Sequence, residues 1–218
     1  MVQSKLLLKF PKIKHYFFDK NDSLVSKDYL YIIKNCVFPE QRHTNKIVFI
    51  HGKRKKYLNC DGLITDKNLF LGVKTADCLP ILFYEPVRNI IAAVHAGWRG
   101  LLKGIVDNAI RLIQEKGGNN KEIIAVIGPH IDLYCYRVNY ERVLQFRKKF
   151  NFHAEIYKQG EWYLDLAKIA INIMVKFGIN NDNIEIFRKE CTYCNLRYPS
   201  YRREGNTTNR LLSVIGIR

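Results

Sequence analysis

Short apolar runs rich in Ile, Val, Leu and aromatic residues alternate with polar segments along most of the chain. Runs of this kind, bounded by Gly, Asn or Asp, are typical of β-strands. The pattern predicts strands at residues 14–18, 47–50, 69–74, 80–84, 90–95, 123–127, 184–187 and 212–217.

Other segments carry helical periodicity. After the turn at residues 97–100, apolar side chains recur on one helical face, and Gly117 can end the helix. Asp165 stands where an N-cap belongs, ahead of a predicted helix at 166–177 that Gly178 ends. Further helices are predicted at 27–36 and 140–150. Paired strands interspersed with a few helices favour an α+β fold with mixed sheets, in one domain over residues 1–218.

Composition fits a folded protein, with 47% hydrophobic and 26% charged residues. Charge is unusual, because 36 Lys and Arg against 20 Asp and Glu give +16. The basic residues are scattered apart from one dense run at 53–56. Scattered charge favours attraction of anionic substrates over nucleic-acid binding, which we keep as an alternative.

Two further features of the sequence predict the cellular compartment of the protein. Lysines interrupt the run at residues 6–8 too often for a signal peptide, and no apolar segment is long enough to span a membrane. A cytoplasmic location is therefore expected. In that reducing compartment the six cysteines are expected to be thiols or metal ligands rather than a disulfide framework.

Two histidines and one cysteine form a candidate metal site. His51 and His95 each end a predicted strand, and Cys78 begins another. Two imidazoles and a thiolate suit Zn²⁺ and leave its fourth position open for water or substrate. By residue type alone, however, a strand-end histidine is more often a satisfied polar residue and a single cysteine more often part of the core.

Four strings around these residues resemble the laccase-domain family, also called multicopper polyphenol oxidase-like or YfiH-type proteins. In chain order they are IHG at 50–52, CDGLIT at 60–65, TADCLP at 75–80 and VHAGWRG at 94–100. Later motifs also match: Ile127-Gly128-Pro129 followed by Tyr136, and Tyr201-Arg202-Arg203 before Asn209-Arg210. The resemblance covers the chain from Lys46 onward.

The resemblance implies an α+β fold of mixed sheets flanked by helices, CNF/YfiH-like and of a cysteine-hydrolase type. It implies a zinc site at the positions matching His51, Cys78 and His95, which would also serve catalysis. The implied activity is phosphorolysis of adenosine, inosine or methylthioadenosine, with adenosine deamination as a further family activity. Older family labels name a copper-dependent phenol oxidase.

The residues favour zinc over copper, because multicopper sites need many histidines and this chain has six, most without paired spacing. Arg99, Arg202 and Arg203 are candidate phosphate contacts, since Arg binds phosphate through two parallel donors; solvated surface charge is the alternative. Asp77 can orient a histidine or position substrate, or be only a turn residue. Trp98 can stack on a purine, or simply pack.

Several positions depart from the family pattern. The early turn at residues 17–23 lacks the usual Arg and Gly-Gly pair, and Phe49 stands where Gln usually precedes the first histidine by two residues. Arg137 replaces an acidic residue, and Asn209 replaces a Gly. These changes affect the expected substrate pocket rather than the metal ligands.

Two other chemistries stay open. Cys191 and Cys194 have the Cys-x-x-Cys spacing of cytidine-type deaminases. However, no suitable His-x-Glu or preceding Pro accompanies them, so we do not interpret the pair as a deaminase zinc site. Cys78 and His95 can instead be the nucleophile and base of a hydrolase or amidase acting on a peptide or cell-wall precursor. The physiological substrate and the oligomeric state do not follow from the sequence.

Overall fold

The computed structural model describes residues 1–22, 27–53, 56–205 and 209–218. Arg54 and Lys55 of the basic run, and Ser23 of the early turn, lie outside these ranges. Among the described residues no helix is both long and apolar enough to cross a bilayer.

A six-stranded mixed sheet forms the centre of the molecule, in the order β12-β8-β6-β7-β4-β3. Strands β6 and β7 are the longest of this sheet and are buried along their full length. The bounds are β3 Ile47–Phe49, β4 Gly62–Thr65, β6 Leu79–Glu85, β7 Ile90–Ala96, β8 Ile124–Ile127 and β12 Ile184–Ile186.

Opposite faces of the central sheet pack against different layers. Ile81 and Phe83 of β6 face the cluster that contains the helical residues, whereas Leu82 and Tyr84 face a four-stranded sheet. Burial on both faces explains the nearly continuous apolar runs of these strands. The four-stranded sheet, in the order β1-β13-β5-β2, contains β1 Ile13–Phe18, β2 Cys36–Val37, β5 Phe70–Thr75 and β13 Leu211–Ile217.

Over the described ranges, six α-helices and a small third sheet complete the fold. The helices are α1 Lys27–Asn35, α2 Trp98–Lys103, α3 Ile105–Glu115, α4 Tyr140–Lys149, α5 Leu166–Lys176 and α6 Tyr201–Glu204. The third sheet contains β9 Arg137–Val138, β10 Glu155–Lys158 and β11 Glu161–Leu164. The molecule is α+β with mixed sheets, as the pattern predicted.

The predicted strands and helices are all present, with ends shifted by a few residues. Asp165 caps α5, its side chain accepting a hydrogen bond from the Lys168 amide. The helix after residue 100 differs, because Gly104 adopts φ +86° and divides it into α2 and α3. Strands β2, β4 and β9–β11 and helix α6 were not predicted, since each has only two to four residues.

Candidate metal centre

Sheet topology brings three polar residues to one end of the central sheet. Asp61 directly precedes β4 and Cys78 directly precedes β6, while His95 lies near the end of β7. Because β7 runs antiparallel to both β4 and β6, its end lies beside their beginnings. Pro80 pairs with His95, and Gly62 pairs with Val94.

The imidazole that joins Cys78 and His95 belongs to His43. One ligand atom from each of these residues lies within 4.8 Å of the other two. The Cys78 Sγ is 3.9 Å from His43 Nε2, and the two imidazole rings meet edge to face with centroids 4.8 Å apart. Gly97 permits this approach, since a Cβ there would lie 2.9 Å from the Cys78 sulfur.

His51 stands elsewhere, which corrects the ligand set expected from the sequence. It follows the end of β3, and β3 runs parallel to β4, so His51 lies at the opposite end of the sheet from Asp61 and His95. Its exposed side chain packs against Phe49. His43 precedes β3 and therefore lies at the correct end.

Placing His43 in the group also removes one apparent departure from the family. Gln41 stands two residues before His43, the position where the family usually has Gln. Its side chain pairs with the backbone of Lys74 in β5, accepting from the amide at 2.8 Å and donating to the carbonyl at 2.7 Å. Gln41 thereby fixes the loop that carries His43.

Asp61 holds the residues of the metal centre in position through hydrogen bonds. Its fully buried carboxylate lies 2.7 Å from His95 Nδ1 and accepts the backbone amides of Arg42, His43 and Thr44 together with the Thr44 hydroxyl. Burial opposes ionisation of Asp61, but these donors outweigh it and hold its pKa well below the usual range. One carboxylate therefore orients one histidine and positions the other.

Mutual electrostatics favour a thiolate at Cys78. Burial would raise the thiol pKa, but His95 and His43 beside it lower the pKa to about 6. Burial would likewise lower the pKa of His95, whereas Cys78 and Asp61 raise it to about 9. The thiolate is the form of cysteine that binds metals and attacks electrophiles.

A cleft of about 650 Å³ opens over this group. Asp77 lines it but does not orient a histidine, contrary to the prediction from the sequence. Its two carboxylate oxygens accept the Thr192 hydroxyl at 2.7 Å and the Arg202 amide at 2.6 Å. Asp77 thus ties the Cys78 loop to the segments that form the far wall.

Cationic side chains dominate the cleft. Its lining includes Lys74, Arg99, Arg142, Arg202 and Arg210, with Tyr136 buried between them. Arg142 was not predicted from the sequence, because a single Arg in an amphipathic helix resembles a solvated charge. In the structure its Nε is buried and has no hydrogen-bond partner in the part of the chain that is described.

The predicted substrate contacts differ in their position relative to the cleft. Trp98 lines the cleft, but its ring is covered by the guanidinium groups of Arg99 and Arg142 at 4.3 and 3.9 Å. Arg202 also lines it and donates to the Arg137 carbonyl. Arg203 does not line it; its guanidinium bonds the carbonyls of Thr192, Tyr193 and Tyr198 and the Glu204 carboxylate. That role for Arg203 is structural.

Comparison with known proteins identifies one family and several relatives. Residues 18–218 match the family described as multi-copper polyphenol oxidoreductase laccase. The chain is 34% identical over 200 residues to a Clostridium acetobutylicum protein named purine nucleoside phosphorylase, covering 89% of this chain and 82% of that one. A protein of the same name from Aquifex aeolicus is 35% identical over 178 residues, or 81% of each chain.

A solved structure shows the same fold. The crystal structure of Bacillus licheniformis hypothetical protein YfiH superposes with a TM-score of 0.80 at 34% identity, over 88% of this chain and 79% of that chain.

Proposed function

The chain belongs to the multi-copper polyphenol oxidoreductase laccase family, and on that basis we propose that it is a zinc-dependent purine nucleoside phosphorylase. The observation that carries the proposal is the cationic cleft placed directly over His43, Cys78 and His95. The names of the two relatives described above support the same activity.

The three donors fit zinc better than a multicopper centre. Two imidazoles and a thiolate form a borderline-soft set that suits tetrahedral Zn²⁺ with one open position. The other four histidines have different environments: His15 and His130 are buried, while His51 and His153 are exposed. When bound, zinc would supply a Lewis acid at the floor of the cleft.

In phosphorolysis a phosphate oxygen bonds to C1′ of the nucleoside, and the purine departs with the electron pair of the glycosidic bond and gains a proton. Arg142 and Arg202 line the cleft and would hold the phosphate, since guanidinium groups pair with its oxygens through charge-assisted bonds. Burial raises the pKa of Tyr136, so its hydroxyl keeps its proton and can donate a hydrogen bond to bound substrate.

A phosphate-dependence assay tests this proposal. Adenosine, inosine and methylthioadenosine are incubated with the zinc-loaded protein, with and without phosphate, and the products are separated by chromatography. We expect free base and pentose 1-phosphate only when phosphate is present, and loss of both in Cys78→Ala but not in Cys36→Ala. Conversion of adenosine to inosine that does not depend on phosphate would instead identify deamination.

The lowered pKa of Cys78 favours a second candidate, a cysteine hydrolase or amidase with His95 as the base. It corresponds to the cysteine-hydrolase type expected from the resemblance. A covalent adduct on Cys78 formed by an electrophilic substrate analogue in metal-free protein, together with no nucleoside turnover, would favour this candidate over the first.

Nucleic-acid binding remains the non-enzymatic alternative because of the net charge of +16. It predicts affinity that falls steeply with salt and does not change in His43→Ala or Cys78→Ala. A gel-shift series at increasing salt concentration measures both properties.

A further inference from the structure

A second sulfur cluster lies outside the groups described so far. Cys135, Cys191 and Cys194 place their Sγ atoms within 4.8 Å of one another, with Cys135 and Cys194 3.2 Å apart. All three are free thiols. The Cys-x-x-Cys pair that lacked a partner in the sequence thus gains a third sulfur from a segment more than fifty residues earlier.

Backbone contacts hold the two segments together. Cys135 ends the 3-10 turn Leu133–Cys135, whose N-cap is Asp132. Cys191 pairs with His130 in a parallel bridge, and the Thr192 amide donates to the His130 carbonyl at 3.0 Å. The Asp132 amide points at the Cys191 sulfur at 3.4 Å. An amide aimed at sulfur favours the thiolate, which is the form that binds metal.

Three sulfur atoms this close together offer a divalent cation three soft donors. Thiolates prefer Zn²⁺ over hard cations such as Mg²⁺ and Ca²⁺.

We infer that Cys135, Cys191 and Cys194 bind a second zinc ion, which joins the two segments that carry them. Binding displaces the thiol protons to solvent and leaves three thiolates around the ion. Among the described residues no further His, Cys, Asp or Glu belongs to this group, and Cys194 is exposed, so water has access to the fourth position.

The ion would fix one wall of the cleft. Cys135 precedes Tyr136, which lines the cleft. Thr192, which follows Cys191, donates its hydroxyl to Asp77, the neighbour of Cys78. A metal that joins these segments would therefore hold Tyr136 and Asp77 in place without touching substrate.

The test uses a Cys78→Ala background, in which the first centre supplies no thiolate. Cobalt substitution should then still give a thiolate-to-cobalt charge-transfer band, and elemental analysis should still find one zinc per chain. Both signals should disappear when Cys194→Ser is added, and persist when Cys36→Ala is added. Cys135→Ser provides a second disruption should Cys194→Ser not fold.

Absence of the band in the Cys78→Ala protein would overturn the inference, whatever the outcome of the nucleoside assays. So would a Cys135–Cys194 disulfide that forms as fast with excess zinc as without it, because the cluster would then be a redox pair. Absence of phosphate-dependent nucleoside turnover in the zinc-loaded wild-type protein, with the band retained in Cys78→Ala, would count against the proposed function alone.

Discussion

The Nδ1 atom of His95 lies 2.7 Å from Oδ1 of Asp61, and both side chains are shielded from solvent. An ionised carboxylate can only accept, so Nδ1 carries a proton, and Nε2 is the ring atom left to bind a metal once its own proton is displaced. Metal-binding histidines are commonly fixed in this way by a carboxylate. Because Asp61 also accepts the His43 amide at 2.9 Å, it preorganises both histidines.

Replacing Asp61 by Asn should weaken zinc binding about 10–100-fold, the usual effect of losing a carboxylate behind a histidine ligand. Both Asp61 oxygens accept N–H donors, so an amide NH2 in either place would face a donor. Competition titration against a chelator measures the affinity. The control is Asp66→Asn, a half-exposed carboxylate beyond β4 that pairs with Lys67. Equal affinity in the two variants would show that Asp61 does not orient the ligands.

His43→Ala and His51→Ala form a matched pair that tests the ligand set. Removing His43 takes one of three donors from the candidate metal centre, so zinc content and nucleoside turnover should both fall sharply. Removing His51 should leave both near wild type, because its side chain is exposed and only packs against Phe49. Loss of zinc and of turnover in His51→Ala, but not in His43→Ala, would support His51 as the ligand, as expected from the sequence.

This pair also shows where sequence reasoning succeeds. Long apolar runs predicted β6 and β7 because a strand buried on both faces leaves a clear local pattern. The same runs placed Cys78 and His95 at strand ends. Their approach then follows from antiparallel pairing alone.

His43 could not be found by the same reasoning. It lies in a loop at φ +56°, and its position depends on the carboxylate of Asp61, eighteen residues away. His51 followed a better strand pattern but lies at the wrong end of the sheet, because the relative direction of β3 and β4 is a tertiary property. The Gln expected two residues before the histidine, found at Gln41, was the available signal.

Arg142→Gln should raise the KM for phosphate by roughly 10-fold or more. A hydrogen bond to a charged group contributes about 1.5–3 kcal/mol of binding free energy, and losing it corresponds to a change of that size. The reason is that Arg142 lines the cleft and its buried Nε has no hydrogen-bond partner among the described residues. The KM for nucleoside should change less. Arg111→Gln, which removes the same charge on α3 away from the cleft, should change neither. A uniform fall in kcat with unchanged KM would contradict the assignment.

Chelator treatment should make Cys78 reactive. With its pKa lowered to about 6, most of the thiol is ionised at pH 7, so iodoacetamide should modify it in metal-free protein. Stoichiometric zinc should block the reaction by occupying the sulfur. Cys36 is an internal control, because burial raises its pKa far above the ordinary thiol value. Peptide mass mapping identifies the modified residue. Equal labelling of Cys78 with and without zinc would argue that the ion binds elsewhere.

His15 should make the fold sensitive to mild acid. Its fully buried imidazole accepts the Ser4 amide at Nε2, and burial lowers its pKa from 6.5 to about 4 despite the opposing influence of Glu185. Between those values the unfolded chain binds a proton that the folded chain does not. Stability is therefore fully present above pH 6.5 and falls as the pH drops toward 4.

Between pH 7.5 and pH 5 this linkage amounts to about 2 kcal/mol of unfolding free energy. Denaturant titrations at the two pH values should show wild type losing that much more stability than His15→Gln, whose side-chain oxygen can still accept the Ser4 amide. His153→Gln, which removes an exposed histidine, should behave as wild type does. Equal losses in wild type and His15→Gln would mean that His15 is protonated in the folded state at pH 5.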